Sequence, residues 1–220
     1  MLIYIQAEKK ILLLGGNYMK KILSYTLFWL LQCTWGFIMT FIGACAALGL
    51  IITGHKPKHL GPMVYFEVGE NWGGIELGGF FICDKGSDLD IKYHECGHGL
   101  QNLIWGPLMP FLICIPSATR YWLRECETHT QKLKFSLFIF ICSLTIFTSL
   151  AIFLVTFGAP KIFVIMAEVL RLYFVLICVW LNAIEIPRYR DPRVYVDYDA
   201  IWFEGQATRW GTKVYEKKEG

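Results

Sequence analysis

Tyr93-His94-Glu95-Cys96-Gly97-His98-Gly99-Leu100-Gln101 is the stretch whose residue types and spacing can do hydrolytic chemistry. On a helix, His94 and His98 are four residues apart, so both imidazoles leave one face and can grip one zinc ion, with Glu95 beside the open coordination position. Zinc lowers the pKa of a bound water towards neutrality; Glu95, as general base, takes the proton, and the hydroxide attacks a polarised carbonyl such as a peptide bond. Such a site needs a third protein ligand. Asp199 can cap a short helix that carries Glu204 and Ala207 on one face, and the small Ala207 would let that helix lie close to the motif helix. Glu204 is therefore the leading third ligand, followed by Asp197 and Asp199, with His129 behind them. His55 and His59 flank Lys56-Pro57-Lys58 and read as a solvated basic loop.

The motif must be held by a helix. Gly86 and Ser87 mark a turn, Asp88 or Asp90 can cap the helix, and it runs to about Leu103. Gly97 and Gly99 weaken it, each costing up to about 1 kcal/mol, and so point to close approach of another backbone. Ahead of it, Met63 to Val68 and Ile75 to Cys83 are rich in β-branched and aromatic residues and are separated by a Gly-rich run, which predicts a small β-hairpin. Its free edge could hold an extended peptide next to the metal.

The rest of the chain is apolar. Of 220 residues, 55% are hydrophobic and only 18% charged, against about a quarter charged in soluble domains. A formal charge of +3 spread over several clusters offers no footing for nucleic acid. The eight cysteines show no close paired spacing, so no disulfide framework is implied. The expected class is a mainly α integral membrane protein with about three transmembrane helices, a small β-hairpin and a metal-binding helix at the membrane surface.

Residues 1–21 form a lead, and translation is expected to start at Met19. Residues 22–52 are the first span, and 53–134 a surface region with the hairpin, the motif helix and a Pro-broken interfacial stretch from Ile104 to Pro116. Residues 135–157 and 162–184 are the second and third spans, the third carrying Glu168 and Arg171 one turn apart as an ion pair. Residues 187–220 form an aqueous tail with the Glu204 helix. Two spans separate the motif from Glu204, so both reach the same side of the bilayer. Nine Lys and Arg flank that side and three (Lys20, Lys21, Lys161) the other, which places the site in the cytoplasm, although Lys20-Lys21 pull the other way.

His94-Glu95-Cys96-Gly97-His98 together with Glu204-Gly205-Gln206-Ala207 resembles the zinc metallopeptidases of the gluzincin type. The resemblance implies His94, His98 and Glu204 as zinc ligands and Glu95 as base. Thr208 departs from the Glu-x-x-x-Ala-Asp or Glu-x-x-Ala-Asp patterns of membrane members. The whole chain is also similar to small bacterial membrane proteins in which a first span, a Gly-rich strand pair, a His-Glu-x-Gly-His-x-x-Gln helix and a Gly-Pro-Leu segment follow one another, which implies a bacterial inner membrane. Site-2-type intramembrane proteases match less well, because Lys92, Gln101 and Asn102 flank the motif. The expected function is a membrane-anchored zinc peptidase acting on a peptide or protein near the membrane surface. The rival is a non-catalytic membrane protein whose metal site is structural or vestigial and which serves as an interaction module. The sequence sets no oligomeric state.

Overall fold

The computed structural model describes residues 20–191 and 195–215, so the lead and the expected start at Met19 lie outside the described residues. The chain divides into two units, one of residues 1–113 with 198–220 and one of residues 114–197.

In the first unit, α1 (Lys20–Thr34) and α2 (Phe37–Ile52) replace the expected single span: the two helices are bent by 98° at the break between them. The break has a polar cause. Gln32 Nε2 donates to the Gly99 carbonyl at 3.0 Å, and Gln32 Oε1 accepts from Thr40 Oγ1 at 2.9 Å and from Asn102 Nδ2 at 2.6 Å. Straightening the helix would leave these buried groups unpaired. Gly36 is required at the bend, since a Cβ there would fall 2.5 Å from Asn102 Nδ2.

Four short strands come next: β1 (Lys58–Leu60), β2 (Met63–Glu67), β3 (Gly74–Leu77) and β4 (Phe80–Cys83). They form one mixed sheet in the order β1-β2-β4-β3, with β2 and β4 parallel. This corrects the single hairpin expected from Met63–Val68 and Ile75–Cys83. The second segment is itself a hairpin, folded at Gly78 with φ 74°, a left-handed conformation that glycine adopts freely. Once β3 folds back on β4, β4 is left to pair with β2 in parallel.

The motif helix α3 (Leu89–Trp105) begins at Asp88, whose side chain accepts from the Ile91 amide at 3.0 Å. Its buried face packs with Met63, Phe81, Cys83 and Phe28 in one apolar core.

In the second unit, α4 (Ile115–Glu125) follows a stretch broken into a 3-10 turn (Gly106–Leu108) and a π turn (Pro110–Cys114), each of which contains a proline, Pro107 and Pro110. Then come α5 (His129–Thr156) and α6 (Lys161–Trp180), which continues through a π turn into α7 (Ile186–Arg188). Thr128 and Gln131 cap α5 reciprocally. His129–Thr156 and Lys161–Arg188 are two helices, each of 28 residues, long and apolar enough to cross a membrane, where three spans were expected. Both exceed the expected ranges 135–157 and 162–184. Leu123, Ile177, Leu181 and Ile186 form the core of this unit. Beside it Arg120 and Glu185, both fully buried, pair at 3.2 Å. Arg171 Nε donates to Glu168 Oε2 at 2.7 Å, as the one-turn spacing predicts.

The last helix, α8 (Trp202–Tyr215), belongs to the first unit and lies directly against α3. A Cβ on Gly97 would fall 1.9 Å from the Ala207 carbonyl oxygen, and one on Gly211 1.7 Å from that of Tyr93. Backbone meets backbone here, which is why both helices carry glycine at these points.

Candidate metal centre

The contact of α3 with α8 brings His94, His98 and Glu204 together. His94 Nε2 and His98 Nε2 are 3.1 Å apart, and Glu204 Oε2 lies 3.2 Å from the first and 3.1 Å from the second. Three ligands at bond lengths near 2.0 Å on a tetrahedral ion stand about 3.3 Å from one another. The three atoms are therefore spaced as the edges of a tetrahedral coordination shell. Asp197, Asp199 and His129 are not in the group.

The hydrogen bonds behind the ligands fix which nitrogen faces the centre. Gln101 Nε2 donates to the Phe203 carbonyl at 2.7 Å and to Gln206 Oε1 at 3.0 Å, so Gln101 Oε1 is turned to His98 Nδ1, 2.7 Å away. That oxygen only accepts, so His98 carries its proton on Nδ1 and presents the Nε2 lone pair inward. His94 Nδ1 is likewise held at 2.7 Å by Thr208 Oγ1. With both Nδ1 atoms engaged from behind, two imidazole Nε2 atoms and a carboxylate face one another at about 3 Å. Three acceptors in that arrangement need a cation or a proton between them.

The surroundings sharpen this demand. Glu76, Glu95 and Glu204 are all buried, and no buried Lys or Arg accompanies them among the described residues of this unit. Burial disfavours a charge on His98, and the Glu204 carboxylate outweighs it, raising the imidazole to about 9. Glu95 is pushed up by burial, against the pull of His94 and His98. Its carboxylate lies against β3, where a Cβ on Gly74 would come 2.6 Å from Glu95 Oε1.

Residues two apart on a strand face the same way, so Glu76 follows Gly74 onto the α3 side of β3. Burial pushes its carboxyl up to about 8, and neither oxygen meets a well-aligned donor among the described residues. A lone Glu in Gly-Ile-Glu-Leu carries no motif, so the sequence does not single out Glu76. Gln101 and Thr208 had a signal, since each lies one helical turn after a ligand, His98 and Glu204. The Thr208 that departs from the gluzincin pattern is the group that orients His94.

No protein-family model matches the chain, and no curated protein or solved structure matches it either.

Proposed function

We propose that the protein is a membrane-anchored, zinc-dependent metallopeptidase of the gluzincin kind, hydrolysing peptide bonds near the membrane surface. The observation that carries this reading is the trio of acceptor atoms at 3.1, 3.1 and 3.2 Å with both Nδ1 atoms tied from behind. When bound, zinc would supply Lewis acidity and an acidified water. His94, His98 and Glu204 would hold the ion, Gln101 keeps His98 in the metal-binding tautomer, Thr208 holds His94 from behind, and Glu95 would take the proton from the attacking water and deliver it to the leaving amine. Among the described residues three side chains form the ligand group, which would leave a fourth position for substrate or water. A purely structural zinc is closed by four, which favours catalysis over the structural-site reading.

Metal analysis of detergent-purified protein tests this. Wild type and Glu95→Gln should hold stoichiometric zinc, His98→Ala should lose it, and only wild type should hydrolyse peptides. Absence of zinc from wild type overturns the reading. Zinc without hydrolysis in wild type returns the structural site.

A further inference from the structure

The two arms α1 and α2 carry no charged residue between Lys21 and Lys56, yet they are not one helix. Their outward residues are bulky and apolar: Leu23, Leu30, Phe37, Phe41, Leu48 and Ile52 are each more than half exposed. The inward face of α2 buries Met39, Thr40, Gly43 and Ala47, and a Cβ on Gly43 would fall 2.1 Å from the Leu77 carbonyl oxygen of β3. At 1.5 Å per residue the arms are about 22 and 24 Å long, so neither alone crosses the ~30 Å hydrocarbon core.

We infer that residues 20–52 form a re-entrant loop in the bilayer rather than a crossing, and that the metal centre fastened to it lies at acyl-chain depth, below the surface position of the proposed peptidase, so that the substrate is a peptide segment held in the membrane. The occupant of the exposed faces is lipid acyl chain. Both ends of the loop are basic, Lys20-Lys21 at the start of α1 and Lys56 and Lys58 after α2, as expected of ends at one water boundary. Returning Lys20 and Lys21 to the site side changes the charge count from nine against three to eleven against Lys161 alone, and removes the conflict that a first crossing creates.

The elbow also meets the demand that hydrocarbon makes on irregular backbone. The Gly36 amide donates to the Leu31 carbonyl at 2.9 Å, the Gly36 carbonyl accepts from Thr40 N and Asn102 Nδ2, and Trp35 Nε1 donates to the Ile104 carbonyl at 3.1 Å. A symmetric V with a 98° bend leans each arm about 41° from the normal, and its elbow descends about 17 Å. Gln32, bonded to the Gly99 carbonyl next to His98, then lies about 14 Å below Lys20. Helix α3 runs the same way, from charged Asp88, Asp90 and Lys92 to apolar Leu103-Ile104-Trp105 at the elbow.

Native lysines report the topology. Full-length protein in sealed, uniformly oriented phosphatidylethanolamine–phosphatidylglycerol vesicles is treated with a membrane-impermeant amine-reactive ester from one side or, after loading, from the other, and labelled peptides are read by mass spectrometry. Lys20, Lys21 and Lys56 should label together from one side and Lys161 only from the other. Labelling of Lys20 and Lys21 with Lys161 makes residues 20–52 a crossing and overturns the inference. The substrate class rests on the peptidase reading and has its own arm. One peptide is offered embedded in the vesicles and, as its water-soluble core, free in solution. Cleavage of the embedded form, with loss of cleavage for the free form, is expected. Cleavage of the free form alone overturns the substrate class with the peptidase reading intact, whereas hydrolysis of neither alongside the expected labelling sinks the peptidase reading and leaves the loop standing.

Discussion

The two units bury charge in opposite ways. In the helical unit the Glu185 carboxylate is matched, by Arg120 at 3.2 Å and by Arg188 at 2.9 Å, and Arg120 Nη2 gives a further donor to the Asp197 carbonyl. In the other unit Glu76, Glu95 and Glu204 are buried beside two histidines with no buried Lys or Arg among the described residues. A matched buried pair is complete in itself and asks for nothing from outside. His94, His98 and Glu204 instead converge on one point as a ligand set for a cation, and that convergence separates a binding centre from structural burial of polar groups.

The largest effect that would sharpen this contrast belongs to the matched pair. Arg120→Ala leaves Glu185 buried against one half-exposed arginine and should destabilise the protein by about 3–5 kcal/mol in a denaturation series in detergent. Replacing both partners, Arg120→Met with Glu185→Met, should restore most of that loss, since well-packed apolar residues commonly equal a buried ion pair. Zinc stoichiometry of the folded fraction should be unchanged in both. If the double variant remained as unstable as the single one, the pair would not be a self-contained structural element.

The carboxylate-rich centre should respond to pH instead. The Glu76 carboxyl has its pKa raised from an ordinary 4.5 to about 8, so the folded chain binds a proton that the unfolded chain has already released. Stability contributed by Glu76 therefore falls as pH rises from 4.5 through 8, and the cost is fully present above that window. Glu76→Gln stays neutral throughout. In chelator-treated protein the variant should match wild type near pH 4 and exceed it by a few kcal/mol near pH 9. A constant difference across that range would remove Glu76 from the charge excess.

How much of this was legible depends on whether the signal was local. His94, His98 and the Asp88 cap can be read from spacing alone, because helical periodicity decides which side chains share a face. Glu204 could be paired with them from its own short helix and the small Ala207. The bend at Gly36 was not legible: Gln32 and Thr40 look like tolerable interruptions of a span until Asn102, seventy residues on from Gln32, is seen to bond Gln32. The sheet order is hidden in the sequence for a related reason. Gly78-Gly79 is a short turn signal within one apolar run, and the parallel pairing of β2 with β4 depends on where β3 folds back.

The smallest effect concerns the group that the motif pattern counted as a departure. Thr208 Oγ1 lies 2.7 Å from His94 Nδ1 and holds that nitrogen from behind. Thr208→Val keeps the shape and β-branching of the side chain and removes only the oxygen. Loss of an outer hydrogen bond of this kind typically weakens metal binding about 10–100-fold. Zinc affinity measured by competition with a chromophoric chelator should fall by that much, while melting of the metal-free protein shifts little. Thr208→Asp should bind at least as tightly as wild type, because a carboxylate is the stronger acceptor for the Nδ1 proton and raises the basicity of Nε2. Weaker binding in both variants would mean that Thr208 positions α8 rather than orienting His94, and the tautomer of His94 would then have to be set by the cation itself.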